Sequence, residues 1–278
     1  MSHALEGGSM PASTTRYLEH LTDEDLALLA ATVGDEVRDP LSVERALADP
    51  RVFHAVFGSP FDEPGSVTLA PASPFLVFAV AVHRAATDLK TEAYIEERIS
   101  AHQRLPVFDV APLRALGDDP ESRLFMIELL GSFTRGSVDP IELARFLELV
   151  PASERAGVYR RLGDVALFLS GVFPDHTARR VHPVELGRML RTLPPVERDD
   201  PLAQGIESSA DQGLTGLLSI LGPRWYRLAA EQVPYRSFAE PLHRAADTFE
   251  PARRFLAVVT DRYLFPLRTG WLPEPGTN

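Results

Sequence analysis

Apolar residues recur along this chain mainly at spacings of three and four, the period of a helix with one buried face. Ile141, Leu143, Ala144, Phe146, Leu147 and Leu149 show it well. The starts of such stretches carry a repeated Asp-Pro dipeptide, at 39–40, 49–50, 119–120, 139–140 and 200–201, and Ser73-Pro74 has the same form. An Asp or Ser side chain caps free N–H groups at a helix start, and proline is tolerated in the first turn, where no N–H bond is lost. Gly34, Gly58, Gly117 and Gly136 stand where C-terminal caps are expected. The pattern predicts helices over 14–33 with a break at Thr22, 41–57 with a break at Pro50, 74–103, 109–116, 120–134, 140–149, 153–172, 183–192, 201–221, 223–232 and 237–265. Alternation of the strand kind is nearly missing, and Val67-Thr68-Leu69 is the one short candidate.

The expected fold is therefore all-α, a compact multi-helix bundle or array with negligible sheet. Residues 1–10, with Gly7-Gly8-Ser9 before a second Met, read as a cloning scar or disordered leader. Residues 11–265 read as a single helical domain with an acidic N-terminal subdomain possible over 11–72, and 266–278 as an irregular tail. No fixed-period repeat suggests a solenoid. The stretch 74–86 is apolar on every side until His83, so it is expected at the centre of the core, with Phe75, Val77, Phe78, Ala79 and Val82 inside.

Composition narrows the chemistry. With no cysteine, disulfides, thiolate metal sites and a Cys nucleophile are out. A net charge of −11 argues against a general nucleic-acid binder, which needs a basic face. The imbalance is uneven: 11 acids lie between Glu19 and Glu63, whereas Arg155, Arg160, Arg161, Arg179, Arg180, Arg188 and Arg191 gather later. Two solvated faces explain this most simply; a contact between them, within one chain or in a homo-oligomer, is the alternative. Lys90 is the only lysine, a bias that points to GC-rich, bacterial coding and leaves one residue for Schiff-base or phosphate-loop chemistry. The longest apolar run, Phe75 to Val82, is far short of the ~20 residues that span a bilayer, so the expected compartment is the cytoplasm.

Candidate chemistry falls in three places. His83 ends the apolar stretch and reads either as a pocket or metal residue or as a hydrogen-bonded core histidine. Asp164 sits among apolar neighbours in 160–173, so its charge needs a partner, with Arg160 and Arg161 nearest along the helix. On that basis it is expected to be structural, and its replacement by Asn to cost stability. Gly163, Ala166 or Leu167, and Ser170 form a partly small-residue stripe that lets another helix or a flat ligand approach. Arg160, Arg161, Asp164 and His83 are thus the candidate ligand- or partner-binding residues. Third, Glu240, His243, Asp247 and Glu250 share one helix face, with Phe238, Leu242, Ala245, Ala246 and Phe249 expected on the buried side. Glu-x-x-His is a spacing that carboxylate-bridged iron sites use, with Glu92, Glu96 and His102 as a second contributor. A ferritin-like site wants a second Glu-x-x-His, which is missing, and a solvated stripe explains the same face.

The run Leu162-Gly163-Asp164-Val165-Ala166-Leu167-Phe168-Leu169-Ser170-Gly171-Val172-Phe173-Pro174 resembles a segment of helical bacterial proteins of unassigned function, with similarity extending into 238–259. The resemblance implies a bacterial, soluble, helical protein and no particular activity. There is no Gly-x-Ser-x-Gly elbow, no phosphate loop, no Gly-x-Gly-x-x-Gly and no His-Glu-x-x-His. Two function classes follow. One is a helical interaction or ligand-binding protein, with a protein partner or a small apolar ligand and no cofactor. The alternative is a metal-dependent helical-bundle enzyme of the iron oxidoreductase type, with ligands from Glu92, Glu96, His102, Glu240, His243 and Asp247.

Overall fold

A computed structural model describes residues 12–34, 37, 39–58, 71–100, 103–134, 139–177, 182–193 and 213–267. In chain order its elements are α1 (Ala12–His20), α2 (Asp23–Val33), α3 (Pro40–Leu47), α4 (Pro50–Phe57), α5 (Pro74–Leu89), β1 (Ile95–Ser100), β2 (Gln103–Val107), α6 (Ala111–Asp118), α7 (Pro120–Ser132), α8 (Pro140–Leu149), α9 (Arg155–Val172), α10 (Pro174–Thr177), α11 (Pro183–Leu190), α12 (Gly213–Gln232), α13 (Arg236–Asp247) and α14 (Phe249–Val259). A π-helical turn, Thr260–Leu264, leads from α14 into the short α15 (Phe265–Leu267). Helix makes up 78% of this structure, and its sheet is one antiparallel hairpin, so the all-α class holds. Among the described residues no helix is long and apolar enough to cross a membrane.

The dipeptide caps work as their chemistry demands. Asp39, Asp49 and Asp139 each accept a backbone N–H two residues on, with proline in the first turn. Asp119 accepts from Ser122 N, and Ser73 from Leu76 N. Such caps contribute about 1 kcal/mol each. Gly34 and Gly58 end their helices at φ of 81° and 85°, a region costly for any residue with a Cβ. Gly117 instead lies inside α6. Asp200, Gly136 and the candidate strand 67–69 fall outside the described residues, as do 1–11 and 268–278.

The chain divides into two compact units, residues 1–91 with 117–131, and residues 92–116 with 132–278. In the first, α5 is the core: every residue from Leu76 to Val82 is fully buried, which explains a helix apolar all round. Asp25 links two helix starts. Its carboxylate accepts Thr22 N to complete the α2 capping box and also accepts Ser73 N beside the α5 cap. In the second unit, α9 packs along α12. A Cβ on Gly163 would lie 2.8 Å from the Tyr226 ring, and one on Gly222 would collide with the Phe249 ring and lie 3.2 Å from Ala166. The small-residue stripe thus serves close helix packing.

Four expected helices run differently. The helix expected over 74–103 ends at Leu89, and 95–100 pairs with 103–107 as strands, because Ile95 and Glu97 find burial and charge partners there that a solvated extension of α5 would not supply. Residues 201–212 lie outside the described residues, and the rest of the helices expected over 201–221 and 223–232 is continuous through Pro223 in α12. Proline forfeits one ladder bond, but Leu221, Gly222, Trp225 and Tyr226 are buried on both sides of it and hold the helix in place. The helix expected over 237–265 breaks at Thr248, where Pro251 lacks the N–H that would reach Asp247, and then widens into the π turn.

Replacing Phe78 with Ala removes a fully buried ring from the centre of the first unit. Denaturant unfolding should show a loss of about 3–5 kcal/mol, and a midpoint that hardly moves would show α5 to be peripheral.

Candidate functional site

Beside the hairpin lies a cleft of ≈ 270 Å³ lined by Glu92, Tyr94, Glu96, Arg104, Val258, Asp261 and Arg262. Two walls build it. The hairpin pairs Ile95 with Val107, Glu96 with Pro106, Glu97 with Leu105 and Arg98 with Arg104, so Glu96, Arg98, Arg104 and Pro106 share a face. The other wall is the end of α14 and the π turn. Thr260 marks the change of helix: its hydroxyl donates back to Leu256 O at 2.9 Å, and Phe265 N donates to Thr260 O, a five-residue closure. Such turns insert one extra residue and re-aim the side chains after them.

Ion pairs lock the walls together. Glu97 is buried, and Arg253, also buried, donates to it; Arg254 Nε stands 3.1 Å from its other oxygen. Glu250 binds both arginines from one turn before, at 2.7 and 3.1 Å. Burial disfavours the Arg253 charge, but the two carboxylates outweigh this and keep it firmly protonated. Nearer the cleft, Asp261 pairs with Arg98 at 3.1 Å and Arg104 at 3.4 Å. Arg262 donates to Glu92 at 2.8 Å. Burial works against the Arg262 cation too, and the Glu92 carboxylate raises its pKa nonetheless. Tyr94 meets Phe108 at 5.7 Å, and both rings are exposed.

Sequence reading placed only Glu92 and Glu96 here, and did so as metal ligands. The structure sets them among arginines. Glu240, His243 and Asp247 are exposed on α13, and Asp247 pairs with Arg227 at 3.0 Å. His102 lies outside the described residues. Those residues hold no group of three acids or histidines placed for a metal ion. On the other face of α13 and into α14, Leu242, Ala245, Ala246 and Phe249 are buried as expected, but Phe238 is 60% exposed and packs edge-on against Tyr235. It lies in the first turn of α13, beyond the reach of the core stripe. Tyr94, Arg104, Asp261 and Arg262 were missed because 92–103 read as the end of the helix over 74–103, Arg104 as the loop after it, and 260–264 as an unbroken part of the helix over 237–265.

The other candidates are internal. His83 is buried, with Nε2 3.2 Å from the Tyr17 hydroxyl. Burial, helped by the Arg123 charge, depresses its pKa to about 3, so it is a neutral core histidine. Asp164 accepts a 2.8 Å hydrogen bond from the buried Tyr226 hydroxyl; Arg160 Nε is 4.0 Å away, at the limit of an ion pair. Arg161 turns aside to Ser132 Oγ at 3.0 Å and over the Phe133 ring at 4.1 Å. Burial raises the Asp164 pKa against the pull of Tyr226 and the two arginines.

The chain matches no protein-family model, no curated protein and no solved structure.

Two pH effects follow. The unfolded chain protonates His83 below a pKa of about 6.5, but the folded chain only below about 3, so in that window protons favour unfolding. The shift corresponds to about 4–5 kcal/mol of acid destabilisation, and His83→Gln should flatten stability against pH between these limits. Asp164 has the opposite sign. Its folded pKa is raised, so its ionisation costs stability above that pKa, and the cost disappears as pH falls toward the ordinary carboxylate range. Asp164→Asn keeps an acceptor for Tyr226 and removes the charge, which reverses the expectation drawn from sequence. Stability at neutral pH should hold or rise, and a loss beyond about 1 kcal/mol would show that the carboxylate charge is needed.

Proposed function

We propose that this protein is a ligand-binding protein, and that its ligand is a small polar molecule held in the cleft between the hairpin and the π turn. The observation that supports this is the cleft's construction. Five charged side chains line a space of ≈ 270 Å³, and four of them are fixed by ion pairs before any ligand arrives. Preorganised polar groups bind with little ordering cost. The volume lies just below the ~300–1,000 Å³ of pockets for drug-sized molecules, which favours a metabolite of modest size. A polar lining also replaces the small apolar ligand expected from sequence. A binding role without catalysis suits a site in which Glu92 and Asp261, two of its three carboxylates, are engaged by arginines, and the metal-dependent reading has no comparable convergence among the described residues. The acidic, cysteine-free composition fits a cytoplasmic setting and a partner other than nucleic acid.

The test is a thermal-shift screen of the full chain against polar metabolites, run in parallel on Val258→Phe, whose larger side chain fills the cleft. At least one compound should raise the melting temperature of the parent by a few degrees and leave the variant unmoved. A screen without hits, or hits that stabilise both proteins equally, would rule out the cleft as the binding site.

A further inference from the structure

The charges of the cleft are not evenly matched. Glu92 and Arg262 satisfy each other at 2.8 Å. Asp261 is held more closely by Arg98, at 3.1 Å, than by Arg104, at 3.4 Å. The Arg104 side chain is 49% exposed, and that long contact is its only polar contact among the described residues. Its guanidinium therefore keeps donors free toward the cleft. Glu96 is the converse. It is exposed and lines the same cleft, and its carboxylate has no hydrogen bond or ion pair among the described residues.

These two opposite charges do not meet. In the hairpin register Glu96 stands opposite Pro106 and Arg104 opposite Arg98, which makes Glu96 and Arg104 diagonal neighbours on one face. Diagonal positions have their backbones about 7–8 Å apart, and no ion pair joins the two charged ends, so an available carboxylate and an available guanidinium line the same cleft. Tyr94, two residues before Glu96 on that face, and Val258 from α14 add apolar surface to the same cleft.

Resting on the reading of this cleft as a ligand site, we infer that its ligand class is the free α-amino acid, with the α-carboxylate on Arg104, the α-ammonium on Glu96 and an apolar side chain against Tyr94 and Val258. The complementarity is threefold. A guanidinium takes a carboxylate through paired N–H bonds, a carboxylate takes an ammonium, and an aromatic face receives the side chain. A singly charged ligand would satisfy one of the two groups and leave the other facing it unmatched.

The experiment is isothermal titration calorimetry of the full chain with L-phenylalanine and L-leucine, and with N-acetyl-L-phenylalanine and L-phenylalaninamide, which lack one charge each. At least one free amino acid should bind, and each blocked form should bind about tenfold or more weakly than free phenylalanine or not at all. Glu96→Gln and Arg104→Gln should each weaken the amino acid by about tenfold, with circular dichroism confirming that these exposed positions leave the fold intact. Absence of binding by both amino acids, equal binding of the blocked forms, or unchanged affinity in either variant would overturn the inference. If a different compound class binds in the screen and is excluded by Val258→Phe, the cleft reading survives without the amino acid. If nothing depends on Val258, both fall.

Discussion

The site rests on one buried charge. Glu97 lies on the inward side of the hairpin, where an unpaired carboxylate would be expelled or protonated, and Arg253 and Arg254 of α14 meet it there. A buried ion pair adds little net stability over well-packed apolar residues, because desolvation offsets the attraction; removing one partner is what costs several kcal/mol. What the pair supplies is registration. Arg253 fits one place on the hairpin, and that docking sets where Glu96 and Arg104 stand relative to Asp261 and Arg262. The cleft is a consequence of this alignment.

The first unit solves its buried-polar problem differently. Its core helix carries His83 into an apolar interior, with the Tyr17 hydroxyl as a hydrogen-bond partner. Here the group becomes neutral, and here the penalty appears only in acid. In the second unit Asp164 is intermediate: buried at the limit of ion-pair distance from Arg160, hydrogen-bonded to Tyr226, and raised in pKa because desolvation exceeds both. Pairing, neutralisation and a compromise between them thus appear in one chain, each chosen by what the neighbouring helices can present.

Much of the fold was legible because its signals are local. An Asp-Pro pair states where a helix begins without reference to anything distant, and Leu76 to Val82 announce burial by having no polar side. The breaks at Thr22 and Pro50 were readable for the same reason. The hairpin was not. Residues 92–107 carry a mixture of Glu, Arg, Ile and Pro that satisfies a solvated helix as well as a strand, and the deciding partner, Arg253, lies about 150 positions away. Tyr94, Ile95 and Ile99, with Pro106 nearby, were the available hints of extended chain. The same nonlocality hid the site. Glu92 and Glu96 attracted notice as possible metal ligands, but the arginines that change their meaning come from other segments. His243 and Asp247 drew attention by helical spacing, which says which residues share a face and nothing of whether that face looks inward.

The π turn shows how small a backbone change the site needs. An ideal α-helix turns 100° per residue, so one residue more or less rotates everything downstream by about that angle. In an unbroken α14 the positions after Thr260 would follow the core stripe that includes Phe255, Leu256 and Val259, all buried. The five-residue closure at Thr260 admits an extra residue, and Asp261 and Arg262 then both reach the hairpin, one toward Arg98 and Arg104, the other toward Glu92. Tyr263 and Leu264 meanwhile return to the interior. The back-bond of Thr260 to Leu256 O shares that carbonyl with the backbone ladder, which weakens the α-ladder where the wider closure takes over. Two consecutive charged residues can therefore face one cleft while the chain on both sides stays packed, a result that regular α-helical spacing alone would not give.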